Sequence, residues 1–493
     1  MSRQTRRAFL KKTAASTAGI GLGLTIAGTK ASGRVLGAND TIRLGVAGIN
    51  GRGQSHIGEF TGMDGVQVTH LIDPDSRLFA PMTKNVQKRG KNTPKCFQDI
   101  RKALEDKDLD AVSVATCNHW HSLITIWSCQ AGKDVYVEKP CSHNPFEGRK
   151  CVEAARKHQR IVQHGTQGRG DKDWVRIVEI IKSGKYGKLL VSKAHASKGS
   201  GSGRWSIGYK QPKDPPQGFD FNIWLGPAPM QPYHENLVHY NWHWFWDTGN
   251  GEIGNQGVHQ MDVARWGIPG GTLPKSVISM GGRWVETPDY KDQAQTPNLQ
   301  LSVMDFGGTL LVFEVRGLVD RKGPTGKSSA GRVDNEFYLE EGAIIGNKFY
   351  PQGKKQGESL PQVDVNRPTG NVFANFIECV RSRKQENLMA DILEAHYSAA
   401  LCHLANISYR LGKPVPFGQG YETVGDNQQV RESVKAIEEN LQVVLGMDLS
   451  KQTYTLGPKL DFDVQAERFV GDAEANKLLT RPYRDPFVVP EQV

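Results

Sequence analysis

The stretch Thr41-Ile42-Arg43-Leu44-Gly45-Val46-Ala47-Gly48-Ile49-Asn50-Gly51-Arg52-Gly53 joins an apolar run to a cluster of glycines. Residues 41–47 read as a strand, because branched and apolar side chains suit a pleated, buried surface. Gln54-Ser55-His56-Ile57 then opens a helical pattern. Strand, glycine turn and helix in this order are a variant of G-x-G-x-x-G, with Gly48 and Gly53 at the outer positions. Asn50 takes the middle place; asparagine tolerates positive φ better than other non-glycine residues, and Gly51 adds slack beside it. Such a turn lets the backbone approach a pyrophosphate at a helix N-terminus, which makes Gly48, Asn50, Gly51, Arg52 and Gly53 candidate contacts.

Working outward, residues 66–72 form a second strand that ends in Asp73, twenty residues after Gly53. A carboxylate there accepts hydrogen bonds from ribose hydroxyls and repels a 2′-phosphate, which favours NAD over NADP. Arg77, one turn later, is placed to stack on adenine or soften that preference. The alternation continues with a helix at 76–89, a strand at 95–97, a helix at 99–105, a strand at 111–116 and a helix at 122–131. This spacing predicts a doubly wound parallel sheet. The loop after the fourth strand brings Thr116, Asn118 and His121 to the cofactor side. His119 and His121 have no carboxylate or third histidine near them in sequence, so no metal site is expected.

Asp134-Val135-Tyr136-Val137-Glu138-Lys139-Pro140 is a short buried strand stopped by proline. Ligands of open parallel sheets bind beyond the carboxyl ends of the strands, so Glu138 and Lys139 should face whatever binds there. A sixth strand at 160–164 leads to Gly165-Thr166-Gln167-Gly168, where the first domain ends and Gln167 faces the cofactor. Beyond it, a helix at 174–183 and a strand at 188–197 open a different, antiparallel sheet. A Gly/Ser/Pro-rich loop follows at 199–217. Seven of the ten tryptophans lie between Trp205 and Trp284. Flat rings beside polar residues suit the C–H faces of a sugar, which makes Trp246 a candidate substrate contact; core packing is the competing reading.

The segment Gly249-Asn250-Gly251-Glu252-Ile253-Gly254-Asn255-Gln256-Gly257-Val258-His259-Gln260-Met261-Asp262 is glycine-broken and then helical. Asn255, His259 and Asp262 fall at i, i+4 and i+7, on one helix face, while Val258 and Met261 turn toward a core. From residue 41 to 412 the chain resembles the glucose–fructose oxidoreductase/inositol dehydrogenase (Gfo/Idh/MocA) family. The resemblance rests on the glycine turn, Asp73, Glu138-Lys139-Pro140 and this last segment. It implies a Rossmann domain at 41–165, and at 166–412 an α/β domain with a large, mainly antiparallel open sheet that often forms the oligomer interface. A dimer or tetramer is expected. The implied activity is NAD-dependent oxidation or reduction of a sugar or polyol hydroxyl. Lys139 and His259 would handle the proton, and Asn255 and Asp262 would orient the substrate. Asn255 departs from the family's aspartate: an amide can hold a hydroxyl but cannot take its proton. Some relatives instead recycle bound NAD to cleave glycosides, and a non-catalytic sugar- or nucleotide-binding protein is a third reading.

Composition agrees with a soluble chain, at 38% hydrophobic and 23% charged over 493 residues, long enough for two domains. Of the net charge of +10, seven positive residues precede the first acid, Asp40, so the remainder does not call for a nucleic-acid partner. Thr5-Arg6-Arg7-Ala8-Phe9-Leu10-Lys11 looks like a twin-arginine signal, followed by an uncharged stretch and small residues near Ala31. Residues 1–31 are therefore expected to be an export signal read by the twin-arginine machinery, placing the protein in the periplasm or outside. Seven cysteines without a C-x-x-C pair are expected to be reduced core residues. Residues 413–493 are polar, carry Pro and Gly, and suggest no function.

Overall fold

The structure is a computed structural model that describes residues 41–199, 203–285, 287 and 289–493; the twin-arginine stretch lies outside the described residues. Six parallel strands form the first sheet: β1 (Ile42–Ala47), β2 (Val66–Ile72), β3 (Lys95–Phe97), β4 (Ala111–Val114), β5 (Asp134–Val137) and β6 (Val162–His164). Their order is β3-β2-β1-β4-β5-β6. The chain reverses direction across the sheet between β1 and β4, and that switch point opens a crevice at the carboxyl ends of the strands. β4 and β5 are buried along their whole length, as strands covered on both faces must be.

The expected fourth strand ends early, at Val114, and the helix expected from residue 122 already begins at Asn118. Polar residues concealed its first turn. The side chains of Asn118, His119 and His121 each bond to groups brought from distant parts of the chain rather than to solvent.

The second sheet contains β7 (Leu189–Ser197), β8 (Ser276–Gly282), β9 (Leu299–Asp305), β10 (Leu310–Arg316), β11 (Arg332–Leu339), β12 (Gly342–Ile345), β13 (Lys348–Pro351), β14 (Glu358–Ser359), β15 (Lys413–Pro416) and β16 (Thr453–Leu456). The order is β14-β13-β12-β11-β7-β10-β9-β8-β16-β15, antiparallel throughout except for β7 beside β10. One face packs on helices Gly251–Asn255, Gly257–Trp266 and Ile392–Arg410 through Ala194, Phe313, Phe337, Met261, Ala264 and Leu401.

Residues after 412 are not an appendage. β15 and β16 extend the second sheet, and helix Gln428–Asn440 lays Val430, Val434 and Ile437 on its other face against Val191, Leu301 and Val312. Phe487, 1% exposed, reaches the first domain and packs edge-on to Trp120. Helix Val372–Ser382 also returns to the first sheet, stacking Phe373 on Tyr136 with ring centres 4.5 Å apart. All seven cysteines are unpaired. Five are buried, but Cys117 is only partly so and Cys96 is exposed, so the reading of all seven as core residues fails at Cys96.

Candidate active site

The glycine turn is shaped by two left-handed residues, Gly48 at φ +79° and Gly51 at φ +41°; Asn50 does not share the task expected of it. A Cβ on Gly48 would stand 2.6 Å from the Ala115 carbonyl oxygen, and one on Gly53 would stand 1.8 Å from the Gly48 oxygen. Those two glycines bring β1, β4 and the helix Arg52–Thr61 together. A Cβ on Gly51 would meet nothing within 4 Å, so the backbone there lies open to the cavity. Asp73 braces the turn: Oδ2 accepts from Ile49 N–H at 3.0 Å and Oδ1 from Asp75 N–H at 2.9 Å. Burial pushes its pKa up to about 6, against the pull of those two hydrogen bonds. Arg77 is not a cavity residue. Its guanidinium is held by the Asp75 carboxylate at 2.6 and 2.7 Å, so the adenine role expected of it is not supported.

At the end of β5, Glu138 is buried and accepts from Arg52 Nε at 2.7 Å, with His56 Nε2 at 3.0 Å. Burial alone would raise its pKa. The His56 hydrogen bond and the charges of His56, Arg52 and Lys139 outweigh that and hold it well below the usual carboxylate range. Lys139 extends into the cavity and donates from Nζ to the Asn255 carbonyl oxygen at 2.9 Å, with Asn255 Oδ1 at 3.5 Å. Burial lowers the Lys139 pKa, against the charges of Glu138 and Glu252.

The second domain closes the site through the break between its two helices. Asn255 ends one helix and His259 lies in the first turn of the next, and both line the cavity. Burial, and then the Lys139 charge, bring the His259 pKa down to about 3, so the ring is neutral. Asn255 donates from Nδ2 to Tyr240 OH at 3.3 Å and to Glu252 Oε2 at 3.0 Å, and Glu252 Oε1 accepts from Arg204 Nε at 2.8 Å. Glu252, at i−3 from Asn255, is a carboxylate the sequence reading passed over. That spacing on one helical turn was its only signal.

Asp262 is corrected. It lies about two turns (~10 Å) along from Asn255, outside the cavity wall. There it pairs with Arg169 at 2.8 Å and accepts from Ser398 Oγ at 2.6 Å. Trp246 is corrected as well. Its ring lies beneath the Arg410 guanidinium, 5.3 Å away, and it is absent from the cavity wall, which takes Trp224 and Trp242 instead.

One cavity of about 920 Å³ runs from the glycine turn to the second domain and includes Gly48, Asn50, Gly51, Arg52, Asp73, Thr116, Asn118, His121, Glu138, Lys139 and Gln167. His121 is fixed between the Pro140 and Thr116 carbonyls at 2.6 and 3.0 Å, and Asn118 Nδ2 donates to Asn250 Oδ1 at 3.0 Å. His119 is held between Thr248 O and Trp224 O, at 3.2 and 2.9 Å. These residues fit a dinucleotide. The space over Gly51 admits a pyrophosphate at the start of a helix, and a carboxylate closes β2 where a ribose would lie.

Comparison with known proteins agrees. Residues 42–166 match the Gfo/Idh/MocA oxidoreductase family's NAD-binding Rossmann fold, and residues 175–281 match its C-terminal alpha/beta domain. A glycosyl hydrolase family 109 protein of Shewanella pealeana is 27% identical over 205 residues, covering 38% of this chain and 45% of that one. The chain spans about half the length of the curated relatives it matches. The WlbA dehydrogenase from Bordetella pertussis, solved with NADH and UDP-GlcNAcA, superposes with a TM-score of 0.54 at 17% identity, covering 75% of this chain and 97% of that one. Levoglucosan dehydrogenase, solved with NADH and L-sorbose, does so with a TM-score of 0.51 at 14% identity, covering 74% and 96%. At such identities the likeness is one of fold. Both sheets, the glycine turn and two consecutive family matches agree: residues 42–166 form a Rossmann domain that matches the NAD-binding domain of the Gfo/Idh/MocA oxidoreductases, and residues 175–281 match their C-terminal alpha/beta domain.

Proposed function

We propose that the protein is an NAD-dependent oxidoreductase acting on a hydroxyl or carbonyl of a sugar, polyol or sugar derivative. The observation that carries this reading is the placement of Lys139 and His259 in the same cavity as the dinucleotide-shaped turn. Gly48, Gly51, Arg52 and Asp73 would hold the adenosine diphosphate half; NAD, when bound, supplies the hydride acceptor. The chain's own groups manage the proton. Lys139, its pKa lowered by burial, accepts the hydroxyl proton at Nζ, and neutral His259 shares that proton or holds the neighbouring hydroxyl. Asn255 orients Lys139 through its two oxygens and is itself held by Nδ2, which donates to Tyr240 OH and Glu252 Oε2. NADH formation at 340 nm across a panel of sugars and polyols tests the reading. No NADH and no reverse reduction with any member would overturn it.

The glycosyl hydrolase family 109 relatives favour a second reading, in which bound NAD is recycled during glycoside cleavage. Aglycone release without net NADH, with hydrogen exchange from solvent at a ring carbon, distinguishes it from net oxidation.

Export through the twin-arginine route to the periplasm belongs to the same proposal and is supported by Arg6 and Arg7 in their motif. Changing both to lysine should leave folded protein in the cytoplasm, and undiminished export would remove the assignment. Self-association as a dimer or tetramer is also proposed. Helix Gln428–Asn440 occupies the face of the second sheet over β9 and β10, so a partner must dock elsewhere. Light scattering on the purified protein tests it.

A further inference from the structure

Along β7, Ser192, Ala194 and Ala196 point toward helix Gly257–Trp266. Ser192 Oγ donates to Ala264 O at 2.9 Å, and Asn335, paired with Ala194, donates from Nδ2 to Gln260 O at 2.8 Å. The helix therefore runs antiparallel to the strand, about four helical residues for every two of the strand. Two further steps along the same face lead to Lys198, beyond the helix start, where Asn255 and Gln256 line the cavity. Lys198 is itself part of that wall and partly buried.

The charge around it is not balanced. Among the described residues, Lys198 has no hydrogen-bond or ion-pair partner. The acids on the wall, Glu59, Asp73 and Glu138, all come from the first domain, and Glu138 is already paired with Arg52. The second domain contributes none; its nearby carboxylate, Glu252, is engaged with Arg204 behind the wall. Lys198 thus faces a cavity to whose wall the second domain brings no carboxylate, a field that selects for negative charge.

We propose that the substrate is an anionic sugar derivative, with its carboxylate or phosphate on Lys198 and its reacting carbon at Lys139 and His259. This rests on the sugar-oxidoreductase reading of the cavity and narrows its substrate class. A charge-assisted contact of this kind separates an acidic sugar from its neutral parent by about ten- to a hundred-fold in affinity.

The test uses matched pairs on the full-length, cofactor-loaded protein: glucose against glucuronate, gluconate and glucose 6-phosphate, and galactose against galacturonate. Calorimetry gives affinity and absorbance at 340 nm gives turnover. We expect at least one acid to bind ten-fold or more tightly than its parent, with an advantage that shrinks as salt is raised. Lys198→Arg should keep the preference, and Lys198→Ala should bring the ratio near one. The uronate and phosphate arms show which anion is preferred. The inference is overturned if no acid outbinds its parent, or if Lys198→Ala keeps the preference. NADH formed from neutral sugars alone would leave the oxidoreductase standing and remove the role of Lys198. Acid binding that depends on Lys198, without any redox turnover, would do the reverse.

Discussion

Asn255 donates from Nδ2 to Glu252 Oε2 at 3.0 Å, and the same side chain turns Oδ1 toward Lys139 Nζ. The carboxylate missing from position 255 is thus replaced by one three residues upstream, acting through an amide that cannot itself carry a proton. Glu252 is 2% exposed; burial raises its pKa and Arg204 lowers it. Its negative charge is one of the influences that raise the Lys139 pKa against burial.

Glu252→Gln should therefore lower the Lys139 pKa further. Competitive acetylation followed by peptide mass spectrometry reads that value directly, and its midpoint should move to lower pH. Adding Asn255→Asp in the same chain should return it upward. An unmoved midpoint in Glu252→Gln would show that the carboxylate is not felt at Lys139.

Lys139→Ala should cost about a hundred-fold or more in turnover, the scale of a positioned acid or base. Cofactor affinity should stay within a few-fold, since the glycine turn and Asp73 are untouched. Steady-state rates and NADH fluorescence titration measure the two effects separately. Loss of cofactor binding with unchanged turnover at saturation would contradict the assignment.

Asp73 makes a pH-dependent contribution. Its folded pKa of about 6 stands above the ordinary 3.8, so the folded protein binds the proton more tightly than the unfolded chain. Stability from this group is present at low pH and falls as pH rises through the window from about 4 to about 6. Asp73→Asn should flatten that part of the profile. Urea unfolding of both proteins across the window checks this, and parallel profiles would refute it.

Asp262→Ala should destabilise the fold by up to about 3–5 kcal/mol, because Arg169, 3% exposed, would lose its bidentate partner and keep only Glu394. Cofactor affinity should change little, as neither residue lines the cavity. Chemical denaturation gives the first quantity and fluorescence titration the second.

The first domain was legible in the sequence because its signals are local. Gly48 and Gly53 are required by contacts within one strand–turn–helix unit and its neighbour β4, and Asp73 ends the very next strand. Lys139 could be placed for the same reason, since a strand end in a parallel sheet has a known direction. The second domain was legible only in outline. Periodicity put Asn255, His259 and Asp262 on one face, but it could not say how far along that face the cavity extends or that Arg169, 93 residues away, meets Asp262. Trp246 looked like its neighbour Trp242, but Trp242 lines the cavity while Trp246 lies under the Arg410 guanidinium outside its wall. Residues 413–493 carried no readable role because their strands and helix gain meaning from pairing with β8 and from the sheet face they cover. Local chemistry is written in neighbouring residues. Which polar side chain meets a cavity, and which meets a buried partner, is settled by contacts between residues far apart in the chain.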